Sequence, residues 1–181
     1  MPLTIIVPGQ ELYDSSTNEF VEIARTSLTL EHSLLSISKW ESKYKKAYLS
    51  REPKTTEELI DYIRCMTITP NVPTNVYRGL TQENYKDVIA YIEDNRTATT
   101  FSDKNKKSSR EIVTSEIIYY WMTALNIPFE PCQKWHLSRL LTLIDVCAIK
   151  NAPPKKMKKG EALRRQHSLN EARKAKYHTR G

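Results

Sequence analysis

Residues 111–150 have the sequence EIVTSEIIYYWMTALNIPFEPCQKWHLSRLLTLIDVCAIK, and this stretch decides the fold class. In its first part, apolar side chains recur at steps of three and four, which predicts the strongest helix of the chain. Ser108 and Glu111 form a capping box at its start, and Asn126 followed by Pro128 ends it. The apolar face predicted for this helix consists of Val113, Ile117, Tyr120, Trp121 and Ala124, widened by Ile118 and Leu125.

A second helix follows in the same stretch. Pro131 suits the first turn of a helix, because the N–H that proline lacks would have no partner there. Since only residues 126–130 link the two helices, we expect them to form an antiparallel pair. The buried face predicted for the second helix consists of Leu137, Leu140, Leu141, Ile144 and Ala148, extended by Leu143 and Cys147.

Three further helices are predicted toward the N-terminus, which makes about five in all. Ser33 is the predicted N-cap of the first, and Thr55 with Glu58 forms a capping box that opens the second. Thr81 begins the third, which ends near Asp94. The predicted inward-facing residues of the three helices are Leu30, Leu34, Ile37, Trp40, Tyr44 and Tyr48, then Leu59, Ile60, Ile63 and Met66, then Tyr85, Val88, Ile89 and Ile92.

The first 31 residues predict β structure instead. Residues 3–7 form a short apolar run that ends at a Pro-Gly turn signal, and residues 20–23 and 27–30 partly alternate. The simplest interpretation is a two- or three-stranded antiparallel meander. So small a sheet is unstable by itself, so we expect it to lie on helices or on another subunit.

The positive charge of the chain is concentrated at its C-terminal end. Residues 150–181 hold 11 Lys/Arg and 2 Asp/Glu, whereas the whole chain has a net charge of +7, so the remainder is slightly acidic. We interpret residues 1–150 as a mainly α body and residues 151–181 as a basic helical arm. Such an arm meets an acidic counterpart: nucleic acid, an anionic surface or an acidic protein. The apolar stripe predicted for the arm is thin and consists of Ala162, Leu163, Leu169 and Ala172.

No catalytic motif stands out in the sequence. A Gly-rich phosphate loop, a nucleophile elbow and an HExxH motif are all missing, so we expect neither an enzyme nor a cofactor. Cys132 and His136, four residues apart, would share a helical face, but they are only half a zinc site, and we expect no metal. Cys65 and Cys147 complete an odd set of free thiols, typical of a reducing cytosol. No stretch reaches the roughly 20 apolar residues of a membrane span.

Several segments carry a resemblance to a known family. The strongest are EIIYYWM (116–122), NIPFE (126–130) and QKWHLSRLLTLI (133–144). Others are EHSL (31–34), SKWE (38–41), DYIRCM (61–66), NAPPKKM (151–157) and LNEAR (169–173). Together they cover nearly the whole chain, which resembles a family of small tail-region proteins of long-tailed bacteriophages, often labelled tail assembly chaperones.

The resemblance implies an α-rich, non-catalytic protein that coats the tape-measure protein in the host cytoplasm while the tail tube polymerises. Its partners would be the tape-measure protein or other tail proteins, with self-association as a further expectation. Two alternatives stay open. The β segment favours a structural protein of the tail or head–tail connector, located in the virion, and the arm favours a nucleic-acid-binding accessory protein.

The candidate partner-binding residues are of two kinds. Large aromatic side chains of the body are candidate anchors, although the same side chains would also suit a core. Basic side chains of the arm are candidates for electrostatic contact. The full set is Tyr120, Trp121, Trp135, Lys155, Lys156, Arg164, Arg165, Arg173 and Lys174.

Overall fold

The computed structural model describes residues 2–14, 18–99, 112–153 and 159–177. This part of the chain is mainly α-helical with a small antiparallel strand region, as the periodicity predicts. The strands are β1 (Leu3–Val7), β2 (Gln10–Asp14), β3 (Glu19–Ile23) and β4 (Thr26–Leu30). The helices are α1 (Leu34–Tyr44), α2 (Thr56–Met66), α3 (Gln82–Glu93), α4 (Ser115–Ala124), α5 (Phe129–Cys132), α6 (Leu137–Asn151) and α7 (Lys159–Tyr177), with a 3-10 helix at Thr74–Gly79.

The four strands follow one antiparallel ribbon with a break in it. β1 pairs with β4, and β2 pairs with β3. Val7 pairs with Thr26 and Gln10 with Ile23, so the second ladder continues the register of the first. Pro8 lies at the break, because proline has no N–H to donate to a ladder.

This strand order corrects the expectation of a meander. Three meandering strands would pair residues 20–23 with residues 27–30, but these two segments lie along the same side of the ribbon. β2 has no counterpart among the predicted strands. The expected antiparallel pairing and the expected support by helices are both confirmed. Ile5 and Leu28 are buried, and β1 packs against α3 and the 3-10 helix.

The N-terminal caps of α1, α2 and α3 are those that the sequence predicts. Ser33, Thr55 and Thr81 each accept a hydrogen bond from a backbone N–H one turn into the helix, and each helix has a complete capping box. Trp40 of α1 is buried, and its Nε1 donates to the Glu58 carbonyl of α2 at 2.9 Å. The caps and this bond align α1 and α2 around the core.

The buried faces of α2 and α3 differ partly from the predicted ones. Ile89 is 48% exposed, and Leu59 and Ile60 are only half-buried. Tyr62 and Tyr91 are buried in their place. Burial of a tyrosine requires a partner for its hydroxyl, and both partners belong to a residue distant in sequence. The Tyr62 hydroxyl lies 2.5 Å from His32 Nδ1, and the Tyr91 hydroxyl accepts the His32 N–H at 3.4 Å.

Helix α4 has a different buried face from the predicted one. Its buried residues are Ser115, Ile118 and Met122, whereas Tyr120 and Ala124 are exposed. α4 is apolar on most sides, so its sequence cannot choose between faces. Packing against α1 determines which face is buried. Ile118 and Met122 enter the core, whereas Trp121 lies at its edge. The predicted capping box of residues 108 and 111 lies outside the described residues.

The short direct link expected between the two long helices is wrong, because α5 lies between them. α4 ends with Asn126 in the left-handed region, and the N–H of Ile127 bonds to the Met122 carbonyl at 2.8 Å, a Schellman-type ending that the sequence does predict. The chain then forms the short helix α5, and α6 begins at Leu137 and not near Pro131. α4 packs mainly on α1.

Helix α6 buries Leu137, Leu140 and Ile144 as predicted, but Ala148 is exposed. The chain divides into two compact units, Met1–Ala148 and Ile149–Gly181. Within the described ranges, no helix combines the length and the apolar character that crossing a bilayer requires.

Candidate partner-binding surface

An apolar cleft of about 310 Å³ lies between α4 and α6. Its lining residues are Trp121, Ala124, Leu125, Ile144, Asp145 and Ala148. It exists because α4 turns Ile118 and Met122 toward α1, which leaves its Trp121 side beside α6 without close packing. Among the described residues that line it, Asp145 is the one acidic side chain. The cleft can accept an apolar side chain, with a basic group next to Asp145.

Of the predicted aromatic anchors, Trp121 is half-buried in this apolar cleft, and Tyr120 next to it is 68% exposed. Trp135 lies elsewhere, in the turn between α5 and α6, and lines a second cleft. The structure therefore does not bring the two tryptophans together in one cavity. All three side chains are at least partly exposed, so each remains available for contact with a partner. The two tryptophans also pack partly against the core.

The second cleft, which we call the cationic cleft, has a volume of about 180 Å³. Its basic lining residues are Arg96, Lys134 and Arg139. The Arg139 guanidinium lies 4.2 Å from the Trp135 ring centre, and that of Arg96 lies 4.7 Å from the Tyr91 ring centre. Sequence reasoning missed these three basic residues, because Arg96 lies far from Lys134 and Arg139 in the chain and only the fold brings them to one cleft.

The start of α4, which orients both Tyr120 and Trp121, is held by a buried carboxylate of α1. The Glu41 Oε1 accepts the N–H of Tyr48, and its Oε2 accepts the N–H of Ser115, each at 2.8 Å. Thr114, the N-cap residue, makes no side-chain cap of its own. Glu41 therefore supplies the N-terminal cap of α4 from another helix.

Next to the cationic cleft lies a buried His–Tyr cluster, formed by His32, Tyr48, Tyr62, Tyr91 and His136. His32 Nδ1 lies 2.5 Å from the Tyr62 hydroxyl, and the Tyr62 ring stacks on the ring of Tyr48. The centres of the His32 and His136 rings are 5.2 Å apart. Burial lowers the pKa of His32 from its usual 6.5 to about 3, and the nearby His136 adds to the effect. Burial also raises the pKa of both Tyr48 and Tyr62. The cluster is therefore neutral near pH 7.

His136 has partners for both ring nitrogens. Its Nε2 donates to the Tyr91 carbonyl at 3.0 Å, and its Nδ1 lies 2.8 Å from the Ser138 hydroxyl. The premise that Cys132 and His136 share a helical face is wrong, because α5 ends at Cys132 and α6 begins after His136. Among the described residues, no group of three or more His, Cys, Asp or Glu is arranged to hold a metal ion.

Helix α7 carries the described part of the basic arm. Arg164, Arg165, Arg173 and Lys174 are all exposed on it, and Lys174 is 3.7 Å from Glu171. At about 100° per residue, these four basic residues point in four different directions around the helix axis. The helix is hardly amphipathic, so the expected apolar stripe is not segregated from the charges. Lys155 and Lys156 lie outside the described residues.

These surfaces offer apolar contact, hydrogen bonding and charge. A partner could be held by large half-buried aromatic rings at the clefts and by basic groups distributed around α7. Comparison of the chain with protein-family models, curated proteins and solved structures finds no match.

Proposed function

We propose that this protein is a tail assembly chaperone of a long-tailed bacteriophage, which binds the tape-measure protein in the host cytoplasm and has no catalytic role. The proposal treats residues 1–150 as a body of about five helices and residues 151–181 as a basic helical arm. Its sequence support is the resemblance that covers nearly the whole chain. Its single structural support is the apolar cleft between α4 and α6, which a helical partner can fill.

The apolar cleft suits a chaperone for physical reasons. A long helical protein exposes apolar side chains until it is enclosed, and a cleft with a half-buried Trp121 can cover one of them. Trp and Tyr are the side chains that contribute most often to binding energy at such contacts. Tyr120, adjacent to Trp121 on α4, is exposed and available for partner contact without lining the cleft.

The arm contributes in a less specific way. Because its charges surround α7, it can approach an acidic partner from any side. Contacts of this kind speed up association and are weakened by salt. We therefore assign anchoring to the body and electrostatic attraction to the arm.

The test is affinity capture of the tagged protein from infected cells during tail assembly. We expect co-purification of a long helical tail protein. Trp121→Ala should reduce the recovery strongly, and a chain that ends at Ala152 should reduce it in a salt-dependent way. Ile89→Ala, at an exposed position of α3, is the matched control. Recovery of the protein at stoichiometric levels in purified virions would contradict the proposal.

A structural role in the virion is the second candidate. It is favoured by the exposed aromatic pair of the β2–β3 ribbon, Tyr13 and Phe20, whose rings are 5.3 Å apart. A neighbouring subunit could cover this pair. Protein composition of purified particles distinguishes this role from the chaperone role.

Nucleic-acid binding is the third candidate, and the exposed basic residues of α7 favour it. It requires a mobility shift on DNA or RNA at about 50 mM salt that fades by about 200 mM. An absence of any shift at low salt would end this alternative.

A further inference from the structure

The cationic cleft brings together residues that sequence position keeps apart. Tyr91 and Arg96 come from α3 and the segment that follows it, whereas Lys134, Trp135 and Arg139 come from the α5–α6 turn and the first part of α6. The cavity has room for about six water molecules, at roughly 30 Å³ each. It therefore has room for a small group such as a carboxylate.

Two of the cations are held in defined positions by aromatic rings. Arg139 lies over Trp135 and Arg96 over Tyr91, and Arg96 Nε also donates to Asp94 at 2.8 Å. Stacking occupies the face of a guanidinium, while its N–H groups point outward in the plane of the group. A stacked arginine is thus preorganised to donate hydrogen bonds to an oxyanion.

Most of the charged side chains described as lining the cleft are basic. The third cation, Lys134, lies 3.3 Å from Glu130, which is not among the described lining residues. Glu31 is the one acidic residue among the described lining residues, and burial raises the pKa of its carboxyl, an effect that the charge of Lys134 opposes. His136 donates its Nε2–H to the Tyr91 carbonyl and is neutral. Among the described lining residues three cations face one carboxylate. Asp94 and Glu130, next to the cleft, offset part of the charge of Arg96 and Lys134, so Arg139 contributes most to the attraction for an anion.

We propose that the cationic cleft binds the carboxylate of a glutamate or aspartate side chain presented by a partner protein, with Arg139 and Lys134 as its main ligands. Charge-assisted hydrogen bonds from arginine and lysine are the strongest contacts that a protein offers to such a group. Arg96 adds positive potential, and Trp135 forms the apolar wall beside the carboxylate. This inference rests on the proposed function only in one respect, namely which partner protein presents the carboxylate.

The test follows the indole N–H signal of Trp135 by nuclear magnetic resonance in the purified full-length chain. Trp135→Phe assigns this signal among the three tryptophans. The probes are a blocked glutamate-rich peptide, the same peptide with glutamine in place of glutamate, and inorganic phosphate. We expect a saturable shift with the acidic peptide, at a Kd on the order of 1 mM or tighter, and none with the glutamine peptide.

Variants connect this shift to the cleft. Arg139→Gln and Lys134→Gln should each weaken binding about tenfold, and Glu31→Gln should strengthen it several-fold, because a repelling charge in the cleft lining is removed. Lys86→Gln, which removes a charge at an exposed position of α3 outside the cleft, is the matched control and should leave binding unchanged. Arg139 and Lys134 are exposed, so these variants should fold normally.

The possible results separate clearly. A shift with the acidic peptide that Arg139→Gln weakens supports the proposal, whether or not phosphate also binds. A shift with phosphate alone overturns the assignment of a protein carboxylate, and no shift with either probe overturns the site. Since this test uses no tail protein, its failure would leave the result of the capture experiment unaffected, and the converse also holds.

Discussion

The buried His32 should make the stability of the body depend on pH between about 8 and 5, above the range in which most carboxyl groups titrate. Its side chain is 3% exposed, and burial holds the pKa at about 3, against 6.5 for an exposed histidine. Between these two values the unfolded chain binds a proton that the folded chain does not. The contribution of the neutral His32 to the free energy of unfolding is therefore complete above about pH 6.5, and it decreases as the pH falls toward about 3.

The size of the effect follows from the two pKa values. At about pH 5 the unfolded histidine is almost fully protonated while the folded one is still neutral, and this difference corresponds to a loss of about 2 kcal/mol relative to pH 8. Burial lowers the pKa of His136 as well, so the second histidine of the cluster adds a loss of the same sign. Such a loss is a large fraction of the stability of an ordinary domain.

The assay is urea unfolding followed by tryptophan fluorescence at a series of pH values between about 8 and 5. The informative variant is His32→Asn, because the amide oxygen can still accept a hydrogen bond from Tyr62 but does not titrate. We expect it to be less stable at pH 8 and to have a flatter pH dependence. His167→Asn, at an exposed position of α7, is the matched control and should keep the dependence of the parent chain.

Two results would refute this reasoning. Equal stability of the parent chain at pH 8 and pH 5 would show that His32 is not held neutral by burial. A pH dependence that persists unchanged in His32→Asn would assign it to other groups.

Three further expectations concern the same free energy of unfolding, measured in urea. Glu41→Ala should lower it by about 3 kcal/mol, because the N–H groups of Tyr48 and Ser115 lose a charged acceptor, whereas the exposed Glu93→Ala should change it by less than about 0.5. Ile118→Ala should lower it by about 3 kcal/mol, and the nearby Tyr120→Ala should lower it by less than about 1 kcal/mol. A larger loss for Tyr120→Ala than for Ile118→Ala would mean that the buried face predicted from the sequence is the right one. Thr55→Ala should cost about 1 kcal/mol by removing the cap of α2, and an unchanged midpoint would count against that cap.

The candidate surfaces could be predicted only in part. The sequence indicates Trp121 and Trp135 as candidate anchors, since both are large aromatic residues in apolar helical stretches. It does not show that they line different clefts, because that depends on which faces of α4 and α6 are packed in the folded protein. Arg96 and Arg139 each lie over an aromatic ring only five or four positions earlier in the chain, but only the fold brings these two pairs together in one cleft.

By itself, the sequence determined the local features of this protein. Ser33, Thr55 and Thr81 cap their helices with groups three residues away, and Asn126 ends α4 by adopting a left-handed backbone, so neighbours in the chain decide these points. The concentration of positive charge after residue 150 is also readable without a structure.

Only the tertiary structure decided which side of an apolar helix enters the core and which distant groups meet. α4 is apolar on most sides, so its packing on α1 determines that Ile118 is buried. The cap of α4 comes from Glu41, which lies 74 positions before Ser115 in the chain. The histidines of the buried cluster, His32 and His136, lie still farther apart in sequence. Their neutrality arises from the loss of water around them, and that loss exists only once the chain has folded.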